Sequence, residues 1–332
     1  KTGEILSMAQ YPGFDPNRFN KEPIGSLKTM SVANIIEPGS TFKVFTLAAA
    51  INSDILKPDD MIDCRPYKVG PKTIKDSHGH EDFLSVEQIM QVSSNTGAAR
   101  IGVMVGLDGM YDFITALGFG KSTNLGLSGE VNGLLAEKDE IIPLELATIS
   151  FGQGIGTTPL QLAAAFCAIA NGGTLMKPYI VKKVSDSEGR TVSENVPTAI
   201  RKVMPREKAQ MVIDMMKTVV TEDGTATRAN VHGCEVAGKT GTSQKLSRNR
   251  ESLRLSRITG EPARKYYTSV FGGFFPADDA EVMILVVIDE PSKGKYYGGE
   301  VAAPVFRQIA LELGQMTGVC AKASGELAEA GL

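Results

Sequence analysis

The sequence has no surplus of charge of either sign: 35 Lys and Arg against 38 Asp and Glu leave a net charge of -3 over 332 residues. That balance gives no general attraction to nucleic acid or to an anionic lipid surface, so a partner must be recognised by a local site. Cysteine is sparse. Cys64, Cys167, Cys234 and Cys320 lie far apart with no CxxC pair, which indicates neither a disulfide framework nor a zinc site. Cys167, inside LQLAAAFCAIA, reads as a small buried hydrophobe. The longest apolar run, residues 282–288, is too short to span a bilayer, and no signal peptide opens the chain. No Pro- or Ser-rich linker and no internal repeat divides it.

What is present is an ordinary globular composition, 42% hydrophobic and 22% charged, in a chain long enough to bury a large core. The opening KTGEILSMAQYP begins on a turn-like Lys-Thr-Gly and runs into strand pattern, reading as half of a hairpin whose other half has been removed. TTPLQLAAAFCAIANGG predicts a helix with Thr158 as N-cap, Pro159 in its first turn and Gly172-Gly173 as its stop. PREKAQMVIDMMKTVV carries apolar residues at helical spacing. YYTSVFGGFF and EVMILVVIDEP flank the turn-rich PADDA and predict a hairpin, after which EVAAPVFRQIALEL closes as a helix. The order implies an α+β fold: an antiparallel sheet assembled from both chain ends, flanked by helices, with a mostly helical insertion. The final AKASGELAEAGL has no periodic apolar face and reads as a frayed tail.

The chemistry begins at IEPGSTFKVFTLAAAI. Pro38-Gly39 breaks the preceding segment, so a helix starting near Ser40 holds Ser40 and Lys43 on one face, one turn apart. The rest of that helix is apolar nearly all round and therefore buried. Burial lowers an amine's pKa, and a neutral amine can take the proton of a serine hydroxyl. S-x-x-K alone also fits a capping serine and a snorkelling lysine. Two further segments decide between these readings. QVSSNTGAAR places Ser93 and Asn95 around a helix-breaking turn, and CEVAGKTGTSQ places Lys239, Thr240 and Gly241 after a strand-like stretch. SSN alone is usually a helix cap and KTG alone a solvated turn. Together and in this order they are the S-x-x-K, S-x-N and K-T-G set of penicillin-binding proteins and serine β-lactamases.

At these residues the chain resembles the penicillin-binding transpeptidases, specifically the monofunctional class B enzymes. The resemblance runs through TGEILSMA, NIIEPGSTFK, VSSNTGAARIG, SFGQGIGTTPLQLA, EDGTATRA, VAGKTGTSQ and DEPSKGKYYGGEVAAPVF. The last stretch resembles the division-associated branch, FtsI and its sporulation relatives. The resemblance implies the penicillin-binding transpeptidase or serine β-lactamase-like fold over residues 1–318, with 319–332 as a flexible tail. It also implies a membrane anchor and an N-terminal pedestal module that this chain lacks, and places the protein at the bacterial cell membrane with its catalytic domain outside the cytoplasm.

The roles it implies fit the chemistry of each residue. Ser40 attacks the D-Ala-D-Ala carbonyl of a peptidoglycan stem peptide, and Lys43 is its base. Ser93, in reach of Lys43 and Lys239, relays a proton to the leaving amine. The Asn95 amide holds the substrate backbone. Lys239 supplies positive charge that favours the substrate carboxylate and helps keep Lys43 neutral. Thr240 and Thr242 offer hydroxyls to that carboxylate, Gly241 lets substrate lie against the strand edge, and the N–H groups of Ser40 and Thr242 form the oxyanion hole. β-Lactams are then covalent ligands, and glycan-polymerising and division proteins are partners; no cofactor, metal or nucleic acid is implied. A β-lactam-hydrolysing or β-lactam-sensing protein of the same fold is the alternative.

Two other stretches draw the eye. DSHGHEDF offers Asp76, His78, His80, Glu81 and Asp82 as metal ligands, without a compact ligand spacing. Residues 245–265 carry seven basic side chains against Glu251 and Glu261, with few apolar residues, and predict a mobile loop beside the KTG strand.

Overall fold

In the computed structural model, which describes residues 1–259 and 263–320, the segment after Pro38 turns once as a 3-10 helix, Gly39–Phe42, and continues as helix α1, Lys43–Asn52. Every residue of α1 from Lys43 to Ile51 is buried, because the helix has no polar stripe to offer to solvent. Phe42 and Phe45 pack edge-on with Phe119 and Phe166 behind it, ring centroids 5.2–5.5 Å apart. Helix α2, Val86–Val92, ends on Ser93, and α3, Asn95–Ala116, starts two residues later and packs along α1.

Helix α4, Pro159–Ala170, has the expected signals: Thr158 and Gln161 form a reciprocal capping box, and Gly172 and Gly173 stop it at φ +86° and +94°. Helix α5, Arg206–Thr218, buries Ala209, Val212, Ile213, Met215 and Met216 along one stripe.

The central sheet has three antiparallel strands, β1 (Ala237–Gln244), β2 (Tyr267–Phe275) and β3 (Val282–Asp289), in the order β3-β2-β1. The β2–β3 hairpin has the expected register, from Thr268 opposite Asp289 to Phe275 opposite Val282. Helix α6, Leu246–Thr259, follows β1, and α7, Ala303–Thr317, covers one sheet face with Phe306 against Phe271 and Phe275. Phe166 of α4 approaches the sheet at Gly272. Helices therefore flank the sheet, as expected. The strand β1 lies at its edge.

Four expectations are corrected. The opening segment forms no strand of the central sheet: its backbone pairs with Tyr179, with Ile5 N–H donating to the Tyr179 carbonyl at 2.9 Å and Tyr179 N–H to the Gly3 carbonyl at 3.0 Å. The sheet is accordingly built from the second half of the chain alone, among the described residues. Residues 245–265 contain the helix α6 rather than a loop throughout. Its start is tied down by acids inside and outside the basic run: Lys245 pairs with Asp289 at 2.8 Å and Glu290 at 2.7 Å, and Arg248 with Glu251 at 3.1 Å while lying over the Tyr266 ring. Cys234 and Cys320 form a disulfide with Cα atoms 5.2 Å apart, closing an 86-residue separation that spacing alone does not reveal. Residue 320 is thus anchored within the expected tail, and residues 321–332 lie outside the described residues.

Candidate active site

Ser40 sits in the first turn before α1, half-buried, and its side chain makes no hydrogen bond among the described residues. The turn is shaped by backbone crowding. Gly39 has φ +53° and donates its N–H to the Gly152 carbonyl at 3.0 Å; a Cβ on Gly152 would lie 2.0 Å from the Gly39 carbonyl oxygen. A Cβ on Gly39 would meet the Thr242 carbonyl oxygen at 2.9 Å. The turn preceding the nucleophile and the edge strand are therefore in backbone contact. Ser40 N–H lies in the first turn of the helical segment, where such groups lack an intrahelical acceptor.

The S-x-N turn converges on Lys43, which is fully buried. Its Nζ donates to the Ser93 carbonyl, reaches Ser93 Oγ at 3.1 Å and donates to Asn95 Oδ1 at 2.7 Å. Ser93 holds a left-handed conformation, φ 64° and ψ 45°, at the end of α2. That backbone is uncommon for a residue with a Cβ and turns both of its oxygens toward the amine. Burial pulls the Lys43 pKa down to about 7, against the opposing pull of the Asp76 carboxylate.

Lys239, from β1, is also fully buried, and its pKa is driven well down by burial and then by the charge of Lys43. Its Nζ donates to Thr240 Oγ1 at 3.4 Å, and among the described residues it makes no hydrogen bond to Ser93. Ser93 thus touches one of the two expected lysines. The two buried amines repel each other as ammonium ions, so a charge on either one favours the neutral form of the other.

Asn95 uses both ends of its amide internally, accepting from Lys43 and donating Nδ2 to the Lys75 carbonyl at 3.3 Å, so it orients the base as well as facing the groove. Thr240 Oγ1 lies 2.8 Å from Thr225 Oγ1, and Thr242 Oγ1 accepts from Gly298 N–H at 3.0 Å. A Cβ on Gly241 would fall 2.6 Å from the Pro38 carbonyl oxygen and 2.9 Å from Thr41 Cγ2, so its missing side chain makes room for the Ser40 turn rather than directly for substrate.

The register fixes which way the strand's backbone points. Lys245 N–H donates to the Tyr266 carbonyl, marking that pair as hydrogen-bonded. Alternation back along β1 makes Thr242 opposite Ser269, and Thr240 opposite Phe271, non-hydrogen-bonded pairs. Their N–H and C=O groups consequently face the open edge. An extended peptide can add there as a further strand, and Thr242 N–H can serve as an oxyanion donor.

Two of the residues offered as metal ligands, Asp76 and His80, pair with each other, and Asp76 with the S-x-N turn. Asp76 accepts from Ser94 Oγ at 2.9 Å, from the Thr96 hydroxyl and from Asn95 N–H, and His80 Nε2 pairs with it at 2.8 Å. Thr225, Gly152 and Gly298 were not singled out as site residues by the sequence, and Asp76 and His80 only as candidate metal ligands. Of these, Thr225, Gly152 and Gly298 fall inside EDGTATRA, SFGQGIG and KYYGGE, stretches that carry the family resemblance.

Comparison with known proteins agrees with this geometry. The sequence profile of the family described as "Penicillin binding protein transpeptidase domain" matches residues 1–311. The chain is 34% identical over 309 residues to a protein of Neisseria gonorrhoeae named "Probable peptidoglycan D,D-transpeptidase PenA", covering 93% of this chain and 49% of that one. It is 35% identical over 317 residues to "Stage V sporulation protein D" of Bacillus subtilis (93% and 47% covered), and 32% over 310 residues to "Peptidoglycan D,D-transpeptidase FtsI" of Escherichia coli (93% and 48%). The chain thus spans about half the length of these three relatives. A solved structure, the apo TP domain of Burkholderia pseudomallei penicillin-binding protein 3, superposes with a TM-score of 0.78 at 28% identity, covering 95% of this chain and 85% of that one.

Proposed function

Since the chain belongs to the penicillin-binding protein transpeptidase family, we propose that it is the catalytic domain of a peptidoglycan D,D-transpeptidase acting through an acyl-enzyme on Ser40. The observation that carries this is the Lys43 amine, with its pKa drawn down to about 7, buried one turn after Ser40 and held by Ser93 and Asn95. A neutral amine has two N–H donors and one lone pair. The Ser93 carbonyl and Asn95 Oδ1 can only accept and take the donors, leaving the lone pair for a hydroxyl.

The donor stem peptide lies along the edge of β1, and Lys239 with the Thr240 and Thr242 hydroxyls receives its terminal carboxylate. A carboxylate beside Lys239 favours its ammonium form, and that new charge in turn favours neutral Lys43. Ser40 Oγ then attacks the carbonyl of the penultimate D-Ala while Lys43 takes the hydroxyl proton. The oxyanion is met by Ser40 N–H and Thr242 N–H. Collapse breaks the peptide bond, the proton passes from Lys43 through Ser93 Oγ to the departing D-Ala amine, and an ester to Ser40 remains. An acceptor amine attacks that ester, forming the cross-link and restoring the Ser40 hydroxyl.

No helix among the described residues is long and apolar enough to cross a membrane. Placement outside the cytoplasm, at the cell membrane through a segment beyond this chain, is supported by the Cys234–Cys320 disulfide, which suits an oxidising compartment. Glycan-polymerising and division proteins are its partners on this reading. The test is a stem peptide ending in D-Ala-D-Ala supplied with an acceptor amine. One D-Ala released per cross-link formed, absent in Ser40→Ala, supports the reading; hydrolysis without any cross-link assigns a carboxypeptidase instead.

A further inference from the structure

We propose that Asp76 and His80 are positioning residues for this reaction, holding the Ser93–Asn95 turn in place and setting the charge felt by the Lys43 amine. The proposal rests on the transpeptidase reading of Ser40 and Lys43. The Asp76 side chain is 10% exposed and that of His80 14%, so the pair is largely withdrawn from solvent. Asp76 Oδ1 accepts the N–H groups of Asn95 and, at 3.3 Å, Thr96, the first two residues of α3; Oδ2 accepts from Ser94 Oγ at 2.9 Å and from the Thr96 hydroxyl. Ser94 already caps α3 by accepting Gly97 N–H, so Asp76 is a second layer beneath the cap. It pins Ser94, Asn95 and Thr96, the latter part of the S-x-N turn and the residue after it, and the Ser93 and Asn95 oxygens of that turn surround Lys43.

His80 completes the arrangement. Its Nδ1 lies 2.8 Å from the Glu81 carbonyl, which can only accept, and its Nε2 lies 2.8 Å from the Asp76 carboxylate. Both ring nitrogens thus face acceptors, so the imidazolium form is the one that satisfies both, paired with the carboxylate. Burial opposes that charge, but the Glu81 carbonyl and Asp76 outweigh it and raise the His80 pKa. The charged and titratable groups around the pair are Lys43 from α1, Asp63 and Cys64 from the adjacent short strand and its end, Asp82 from the same loop, and Lys239 from β1 beyond Lys43. Among them, the Asp76 carboxylate is the one that supports the ammonium form of Lys43.

The two members of the pair must therefore act on Lys43 with opposite sign. His80→Gln keeps a hydrogen-bond donor for Asp76 but removes the compensating positive charge, so the ammonium form of Lys43 gains and its titration midpoint rises. Asp76→Asn removes the negative charge, and the midpoint falls. Both are read on the whole chain in two ways: the Lys43 resonance in [ε-13C]lysine NMR against pH, and the pH profile of acylation by a labelled penicillin. For His80→Gln we expect a midpoint higher by about half a unit or more, hence a roughly threefold or greater loss of acylation below it. An unmoved midpoint in His80→Gln, or shifts of the same sign in both variants, overturns the proposal; because His80→Gln preserves the hydrogen bond, it decides the matter even where Asp76→Asn fails to fold. Wild-type protein that is never acylated overturns the transpeptidase reading instead, and the NMR titration still reports whether the pair governs Lys43.

Discussion

Replacing Lys43 by methionine separates the cost of burying the amine from its use. The Lys43 pKa falls from its ordinary 10.5 to about 7 in the folded chain. An unfolded lysine stays protonated up to its ordinary pKa, so between these values the unfolded state binds one more proton and wild-type stability rises with pH. The slope is about 1.4 kcal/mol per pH unit, and the full penalty, present below the folded midpoint, is about 5 kcal/mol. Against that stand three hydrogen bonds of the amine, each worth about 1 kcal/mol net, and the cost of leaving the Ser93 carbonyl and Asn95 Oδ1 without it, about 1–3 kcal/mol each. These terms leave wild type ahead by about 0–4 kcal/mol near pH 6.5. Lys43→Met should therefore lie at most about 4 kcal/mol below wild type there and lose further ground by about 1.4 kcal/mol per pH unit from about pH 7 toward pH 9.5. Lys239 is common to both proteins and cancels except for relief from its neighbour's charge. Urea unfolding of both at pH 6.5, 8 and 9.5 measures the difference, and acylation should drop by a factor of about 10²–10⁴. A stability difference flat across this range would mean Lys43 titrates as an ordinary lysine, and the neutral-base argument would fail.

Lys239→Ala should slow penicillin acylation by roughly 10- to 100-fold, the value of one charge-assisted hydrogen bond, while a β-lactam lacking the carboxylate loses little; equal losses with both ligands would remove Lys239 from carboxylate capture. Gly241→Ala places a methyl 2.6 Å from the Pro38 carbonyl oxygen and should push β1 off the Ser40 turn, costing about 1–3 kcal/mol of stability and at least tenfold in acylation. Normal acylation in that variant would show that the close approach of strand and turn is not needed.

The legible parts of the site were those carried by short spacing. Ser40 and Lys43 are one helical turn apart, and the Ser93-Ser94-Asn95 turn and the Lys239–Thr242 strand each announce their local geometry, but only the three motifs in order, with the family resemblance, joined them into one site. The α4 helix and the β2–β3 hairpin were legible for the same reason, with caps and turn residues adjacent in sequence. What stayed hidden depends on partners far along the chain. Asp76 caps a helix about 20 residues away, Thr225 meets Thr240, and Lys245 finds Asp289 and Glu290 more than 40 residues on. The basic run around α6 reads as a mobile loop only while those acids are out of sight. The opening segment has strand composition, but its backbone partner, Tyr179, could not be chosen from alternation alone. That a carboxylate, Asp76, supports the ammonium form of Lys43 could not be read from the sequence either.

The central claim, that Ser40 is a nucleophile forming a lasting acyl-enzyme, is tested most directly by intact-protein mass spectrometry with peptide mapping after brief exposure to penicillin. The account predicts one added drug mass, located on the peptide bearing Ser40, persisting for many minutes and absent in Ser40→Ala. An adduct on another residue, no adduct at all, or rapid release of hydrolysed drug would contradict it.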